Sequence, residues 1–260
     1  MTLDAMAFYN QAQGKLNDLI NSYQHSTCRP IDYTSKDVLS RFNTARFGPA
    51  TTQGIDDYDP SSPFSYIHSS VDNKRNPVDL THQLFTVLDI HSIKGLADLW
   101  ALLRPCHISM CSDYIPSLIK SGVHPKHDIP IEAQLLLEET HGMFLYSDQA
   151  TNLLDTFFSL TKTECNQVLV NWKKGKNTDI WITPKAYINL TDAEKVFRLV
   201  STRASKLFSR GHAISKATYH YKQMFLKVHS PELFEEWQSW LTNSYRDIED
   251  EKVYIQIDLN

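Results

Sequence analysis

The chain has 260 residues, of which 42% are apolar and only 8 are glycine, enough length and hydrophobicity to bury a core without crosslinks and to exclude wholesale disorder. A formal net charge of −4 excludes attraction of the whole molecule to nucleic acid or to an anionic membrane surface, leaving only local patches. Four cysteines, at 28, 106, 111 and 165, are too few and too irregular for a disulfide framework.

The opening MTLDAMAFYNQ carries neither a basic nor an apolar signal region, so the expected location is cytoplasmic. No membrane span is expected either, because the most apolar stretch, Gly95 to Leu103, is interrupted by Asp98. Residues 2–24 form a predicted helix, with Thr2 at the N-cap and Met6, Tyr9, Leu16, Leu19, Ile20 and Tyr23 on its apolar side. Arg29-Pro30 ends it. A second helix is expected over 35–46, with Thr34 and Asp37 at capping-box separation. From Gly48 to Pro77 the chain is rich in Pro, Ser and Asp, with Pro49, Pro60, Pro63 and Asp56, Asp57 and Asp59. That reads as a long polar loop suited to covering a cleft or forming a contact surface.

Residues 79–162 are expected to be helical in pieces, separated by Gly95, Pro105 and the turn at 122–130. Leu153, Leu154, Phe157 and Phe158 share one helical face, which is core. Val168, Val170 and Trp172 alternate, which predicts a small β element over 166–182. Thr191 and Glu194 form a capping box at the start of a long helix, and Ser230-Pro231 opens another. Residues 252–259 alternate as an edge strand does. The expected fold is mainly α: a single multi-helix domain over 1–260, with a minor β element at 166–182 and 252–259 and the long loop at 48–77.

Metal-binding side chains are concentrated in one region. Six of the eleven histidines (His82, His91, His107, His124, His127 and His141) fall within 60 residues, alongside Cys106 and Cys111. The series Cys106-x4-Cys111-x12-His124-x2-His127 resembles a Cys2His2 zinc site, in which two thiolates and two imidazoles close a tetrahedron. Its histidines are closer together than the usual spacing, with Pro125 between them. The adjacent pair His127-Asp128 resembles the metal-holding dipeptide of the all-helical HD superfamily of phosphohydrolases. That resemblance implies a divalent metal held with His82 or His91, with His141 as an accessory ligand and Asp148 or Asp155 as the last, and hydrolysis by a metal-activated water. For nucleophilic catalysis the candidates are Cys28, with His25 and Arg29 beside it, and Cys165. No Gly-x-Ser-x-Gly elbow, Walker loop, dinucleotide fingerprint or His-Glu-x-x-His occurs in the sequence.

The second candidate surface is electrostatic. Between Arg198 and Lys227 stand seven Lys or Arg residues and no acid. On a continuous helix at about 100° per residue, Lys195, Arg198, Arg203, Lys206 and Arg210 fall within an arc of roughly 140°, opposite Val196, Phe197, Val200, Ala204, Leu207 and Phe208. Such a stripe suits a protein partner, or a nucleic acid or phosphate ligand bound through residues 195–227, with Tyr219 and Tyr221 available for stacking. The leading expectation is an interaction or regulatory protein that binds another macromolecule as an inhibitor, effector or adaptor. The alternative is a metal-dependent hydrolase, a phosphohydrolase using the His and Asp residues between 82 and 155 with a divalent metal such as zinc.

Overall fold

The computed structural model describes residues 3–44, 91–102, 128–140, 142–176 and 182–250. The protein is mainly α. In chain order its described helices are α1 (Leu3–Thr27), α2 (Lys36–Thr44), α3 (Ile93–Leu102), α4 (Ile131–Leu135), α5 (Ser147–Phe157), α6 (Lys162–Lys173), α7 (Leu190–Arg203), α8 (Arg210–His229) and α9 (Pro231–Asp250), with 3-10 turns at Glu138–Thr140 and Ala204–Lys206. No helix among the described residues is long and apolar enough to cross a membrane. The loop at 48–77 and the strand at 252–259 lie outside the described residues.

Helix ends follow local hydrogen-bond chemistry. At the end of α1 the Ser26 and Thr27 hydroxyls donate back to the Tyr23 carbonyl at 3.0 and 2.7 Å, and Cys28 then takes a left-handed conformation with φ 54°, ending the helix ahead of Pro30. The start of α2 departs from the predicted Thr34–Asp37 box. Thr34 turns instead to Asp32, whose Oδ1 accepts its N–H at 2.8 Å and its hydroxyl at 2.6 Å, holding the Asp32 carboxyl below its usual pKa. The start of α7 also differs. Asn189 is the N-cap, its Oδ1 accepting from the Thr191 N–H at 2.8 Å, so Thr191 lies inside the helix. Pro231 opens α9 as expected, with the Ser230 carbonyl accepting from the Phe234 N–H at 3.1 Å.

The β element predicted within 166–182 is corrected by α6, which takes Lys162–Lys173 as helix. Its driver is a capping box at Thr161. The Thr161 Oγ1 accepts from the Glu164 N–H at 3.3 Å, while the Glu164 Oε2 accepts the Thr161 N–H at 2.7 Å. Cys165, Leu169 and Trp172, spaced i, i+4, i+7, are the buried side, and Val170 is left 42% exposed. Pairing between extended segments is confined, among the described residues, to two isolated bridges: Tyr146 with Phe208 in parallel and Phe158 with Pro184 in antiparallel.

The described residues gather into two compact units. Those up to 99 and from 214 onward form the first, and those from 100 to 213 the second. In the first unit α1 buries Ala12, Leu16, Leu19, Ile20 and Tyr23, one stripe at helical spacing. Nearly every residue of α8 from His220 to Leu226 is buried. Tyr23 meets Phe225 edge-on at 5.2 Å, Tyr33 lies 5.5 Å from Tyr221, and Tyr219 meets Trp237 of α9 edge-on at 6.0 Å. The second unit has its own core from α5, α6 and α7: Leu153, Leu154 and Phe157 with Cys165, Leu169, Trp172, Val196 and Val200. Phe197 packs edge-on to Trp172 at 5.4 Å. The residues expected on the core face of α5 and the apolar side of α7 are thus in place.

Candidate functional site

In the second unit, a buried amide sets the backbone from which charged groups project. Gln149 is fully buried in the first turn of α5. Its Oε1 accepts the N–H groups of Leu145 and Tyr146, both at 2.9 Å. Its Nε2 donates to the Thr140 hydroxyl at 2.6 Å and to the Met143 carbonyl at 3.3 Å. Both ends of the amide are thereby satisfied, and the segment 142–146 ahead of α5 is tied to the 3-10 turn at Glu138–Thr140. Phe208 docks on the same segment: its N–H donates to the Leu145 carbonyl at 2.8 Å, and its carbonyl accepts from the Ser147 N–H at 2.9 Å.

Two residues past Phe208, Arg210 reaches both ends of that segment. Its Nε donates to Asp148 Oδ2 at 2.6 Å, its Nη2 pairs with Glu139 Oε1, and its guanidinium carbon stands 4.4 Å from the centre of the Tyr146 ring. Burial opposes the guanidinium charge, and the Asp148 and Glu139 carboxylates outweigh it and raise its pKa. Arg210 is a fixed cation. Asp148 Oδ1 is buried without a partner among the described residues, so the carboxylate keeps acceptor capacity beside the guanidinium.

Beside this cluster lies an open concavity of about 690 Å³, whose wall includes Leu135, Leu136, Glu138, Glu139, Asp148 and Arg210. Three carboxylates face one guanidinium there. Leu135 is 59% exposed, and Ile131, one turn earlier on α4, is 60% exposed. The wall therefore offers aliphatic surface next to excess negative charge. It suits a ligand with an apolar side chain close to a cation.

The predicted basic stripe is broken in the middle. α7 stops at Arg203, a 3-10 turn follows at Ala204–Lys206, and Arg210 starts a new helix, so the arc calculated for one continuous helix does not extend past 203. Lys195 Nζ donates to Asp128 Oδ1 at 2.8 Å, which raises its pKa. Arg210 belongs to the acidic concavity. Arg198 and Lys206 are exposed and Arg203 is partly exposed. Val196, Val200, Ala204, Leu207 and Phe208 are buried as expected.

Of the predicted metal ligands, His82, Cys106, Cys111, His124, His127 and His141 lie outside the described residues, whereas Asp128 is described and pairs with Lys195. Among the described residues no group of three or more His, Cys, Asp or Glu side chains stands close enough to hold a metal ion. Cys28 is exposed, its Sγ 3.9 Å from the His25 carbonyl, and Cys165 is buried with its thiol pKa raised by burial and by Asp155. A buried thiol of that kind is core. Spacing in the sequence points to Arg210 and Asp148 but not to Glu139, Gln149 or the Ile131/Leu135 pair. The available signal was the run Ile131 to Leu137, which has more large aliphatic residues than one face of a short helix can bury.

No family model matches the chain, and no curated protein matches it.

Proposed function

We propose that the protein acts by binding another macromolecule, namely a polypeptide that presents a lysine or arginine next to large apolar side chains, and that it serves as an inhibitor, effector or adaptor. The observation that carries this reading is the exposed pair Ile131 and Leu135 beside the acidic concavity of Glu138, Glu139 and Asp148. Large aliphatic side chains left in water are an unsatisfied hydrophobic surface; burying the exposed part of each one yields about 1–2 kcal/mol. The surrounding carboxylates select for a basic partner and disfavour an acidic one.

Panning a displayed library of random peptides against the full chain tests this. The expected result is enrichment of sequences that place Lys or Arg within a helical turn of Leu, Ile or Phe. Their affinity should fall by about tenfold or more on Leu135→Ser and on Glu138→Lys, changes worth at least about 1.4 kcal/mol each, with the circular dichroism spectrum unchanged. Enrichment without basic residues, or equal binding by both variants, overturns the reading.

A further inference from the structure

The first unit contains a recess of opposite character. Ser215, Thr218, Tyr219 and Lys222 follow one another along α8 at i, i+3, i+4 and i+7, which is one helical face, and Gln13 and Asn17 stand one turn apart on α1. These six residues line a recess of about 210 Å³. Every one carries a side-chain hydrogen-bonding group, and none is a carboxylate. Lys222 is the only charged residue among them. Its Nζ donates to Asn17 Oδ1 at 2.7 Å, which engages one of the three donors of an ammonium. Burial lowers its pKa, the mark of a cation that would gain from a nearby negative charge. The Tyr219 ring, set edge-on against Trp237 at 6.0 Å, forms part of the wall. Tyr221, the other tyrosine expected to meet a ligand, is buried, and its hydroxyl donates to the Asp32 carbonyl.

A compact anion with several acceptor oxygens matches a recess that holds one partly buried lysine and is lined by hydroxyl and amide side chains, and the volume lies below that of a pocket for a drug-sized molecule. We propose that this recess between α1 and α8 binds the phosphate-monoester group of a small free ligand, with Lys222 as the charge partner and Ser215 and Thr218 as donors. A phosphate monoester brings close to two negative charges and three acceptor oxygens at neutral pH, and lysine meets such a group as a point charge. This site shares no lining residue with the acidic concavity, and its test does not depend on any polypeptide partner.

The test is titration of the full isotope-labelled chain with inorganic phosphate, glycerol 2-phosphate, a phosphoserine peptide and sulfate, followed by amide chemical shifts. The expected result is saturable shifts at Gln13, Asn17 and 215–222 with glycerol 2-phosphate and inorganic phosphate, and weaker shifts with sulfate. Affinity should drop about tenfold in Lys222→Met, drop less in Thr218→Val, and be largely kept in Lys222→Arg. Equal response to sulfate would mean an adventitious ion only and would overturn the proposal. So would tighter binding of the phosphoserine peptide than of the small esters, or full binding by Thr218→Val and Lys222→Met together. Thr218→Val, on a partly exposed helix position, keeps the test decisive if the lysine variant does not fold.

Discussion

Four hydrogen bonds converge on the Gln149 side chain: two backbone N–H groups on its oxygen, and the Thr140 hydroxyl and Met143 carbonyl on its nitrogen. Leucine has a similar volume, so Gln149→Leu keeps the space filled while leaving the N–H groups of Leu145 and Tyr146 buried and unpaired. Each stranded group costs about 1–3 kcal/mol, so the variant should lose about 3 kcal/mol in urea denaturation with an unchanged slope. A loss below about 1 kcal/mol would mean that water replaces the amide and that the segment is not held by it. Gln149→Glu makes the complementary case. It keeps the acceptor for the two N–H groups but sets a carboxylate against the Met143 carbonyl, so it should destabilise more at neutral pH than in acid, where the protonated carboxyl regains a donor. The same residue positions Glu139 and Asp148 for Arg210, so both variants should also weaken peptide binding at the concavity.

Helix α6 has its start set by its first turn, which its apolar pattern alone does not specify. Thr161 and Glu164 exchange hydrogen bonds across the N-terminus, and the backbone N–H and hydroxyl of Thr161 hold the Glu164 carboxyl below its usual pKa. Thr161→Ala should therefore cost about 1 kcal/mol, read as an earlier denaturation midpoint, whereas Thr163→Ala, two residues on and without the cap role, should cost less. The same helix shows how far local sequence is legible. Val168, Val170 and Trp172 alternate as in a strand, but Cys165, Leu169 and Trp172 also fall on one helical face, and the cap at Thr161 resolves the ambiguity in favour of helix. For α1 and α2 the extents expected from the sequence agree with the structure to within a few residues, and Ser230-Pro231 marks the start of α9, although the cap expected at Thr34 is not the one that forms. The mainly α class follows from those segments. At α7 an asparagine two residues before the expected Thr191 takes the cap; both residue types cap well, and spacing alone does not choose between them.

At the scale of the whole molecule, the candidate sites were less legible than the helices because their partners are far apart in the chain. Arg210 meets residues 62 and 71 positions earlier, and Lys222 meets one 205 positions away. A helical wheel drawn through 195–210 assigns Arg210 to a solvent stripe because nothing local reveals the break after Arg203. Stability against pH is likewise a property that composition does not give, and two neighbours on α8 contribute to it at opposite ends of the range. His220 is buried; burial first, then the Lys216 ammonium, push its pKa well below the ordinary value, with Gln223 working the other way. The folded state keeps the imidazole neutral while the unfolded chain takes up a proton below about pH 6.5, so the unfolded state binds more protons in acid and stability falls as pH drops through that value. Tyr221 supplies the opposite limb. Burial and the nearby Asp32 push its pKa up to about 12, so between about pH 10, where the unfolded phenol ionises, and 12 the unfolded state loses a proton that the folded state keeps, and stability falls as pH rises. Denaturation midpoints measured from pH 5 to 11 should form a plateau with both edges sloping down. His220→Gln should flatten the acid edge between pH 6.5 and 5, above the range where most carboxylates titrate. Tyr221→Phe should flatten the alkaline edge while lowering the plateau by about 1 kcal/mol for the lost hydrogen bond to the Asp32 carbonyl. If His220→Gln and the wild type lose stability in parallel from pH 6.5 to 5, the acid edge has another origin and the buried imidazole is not its source.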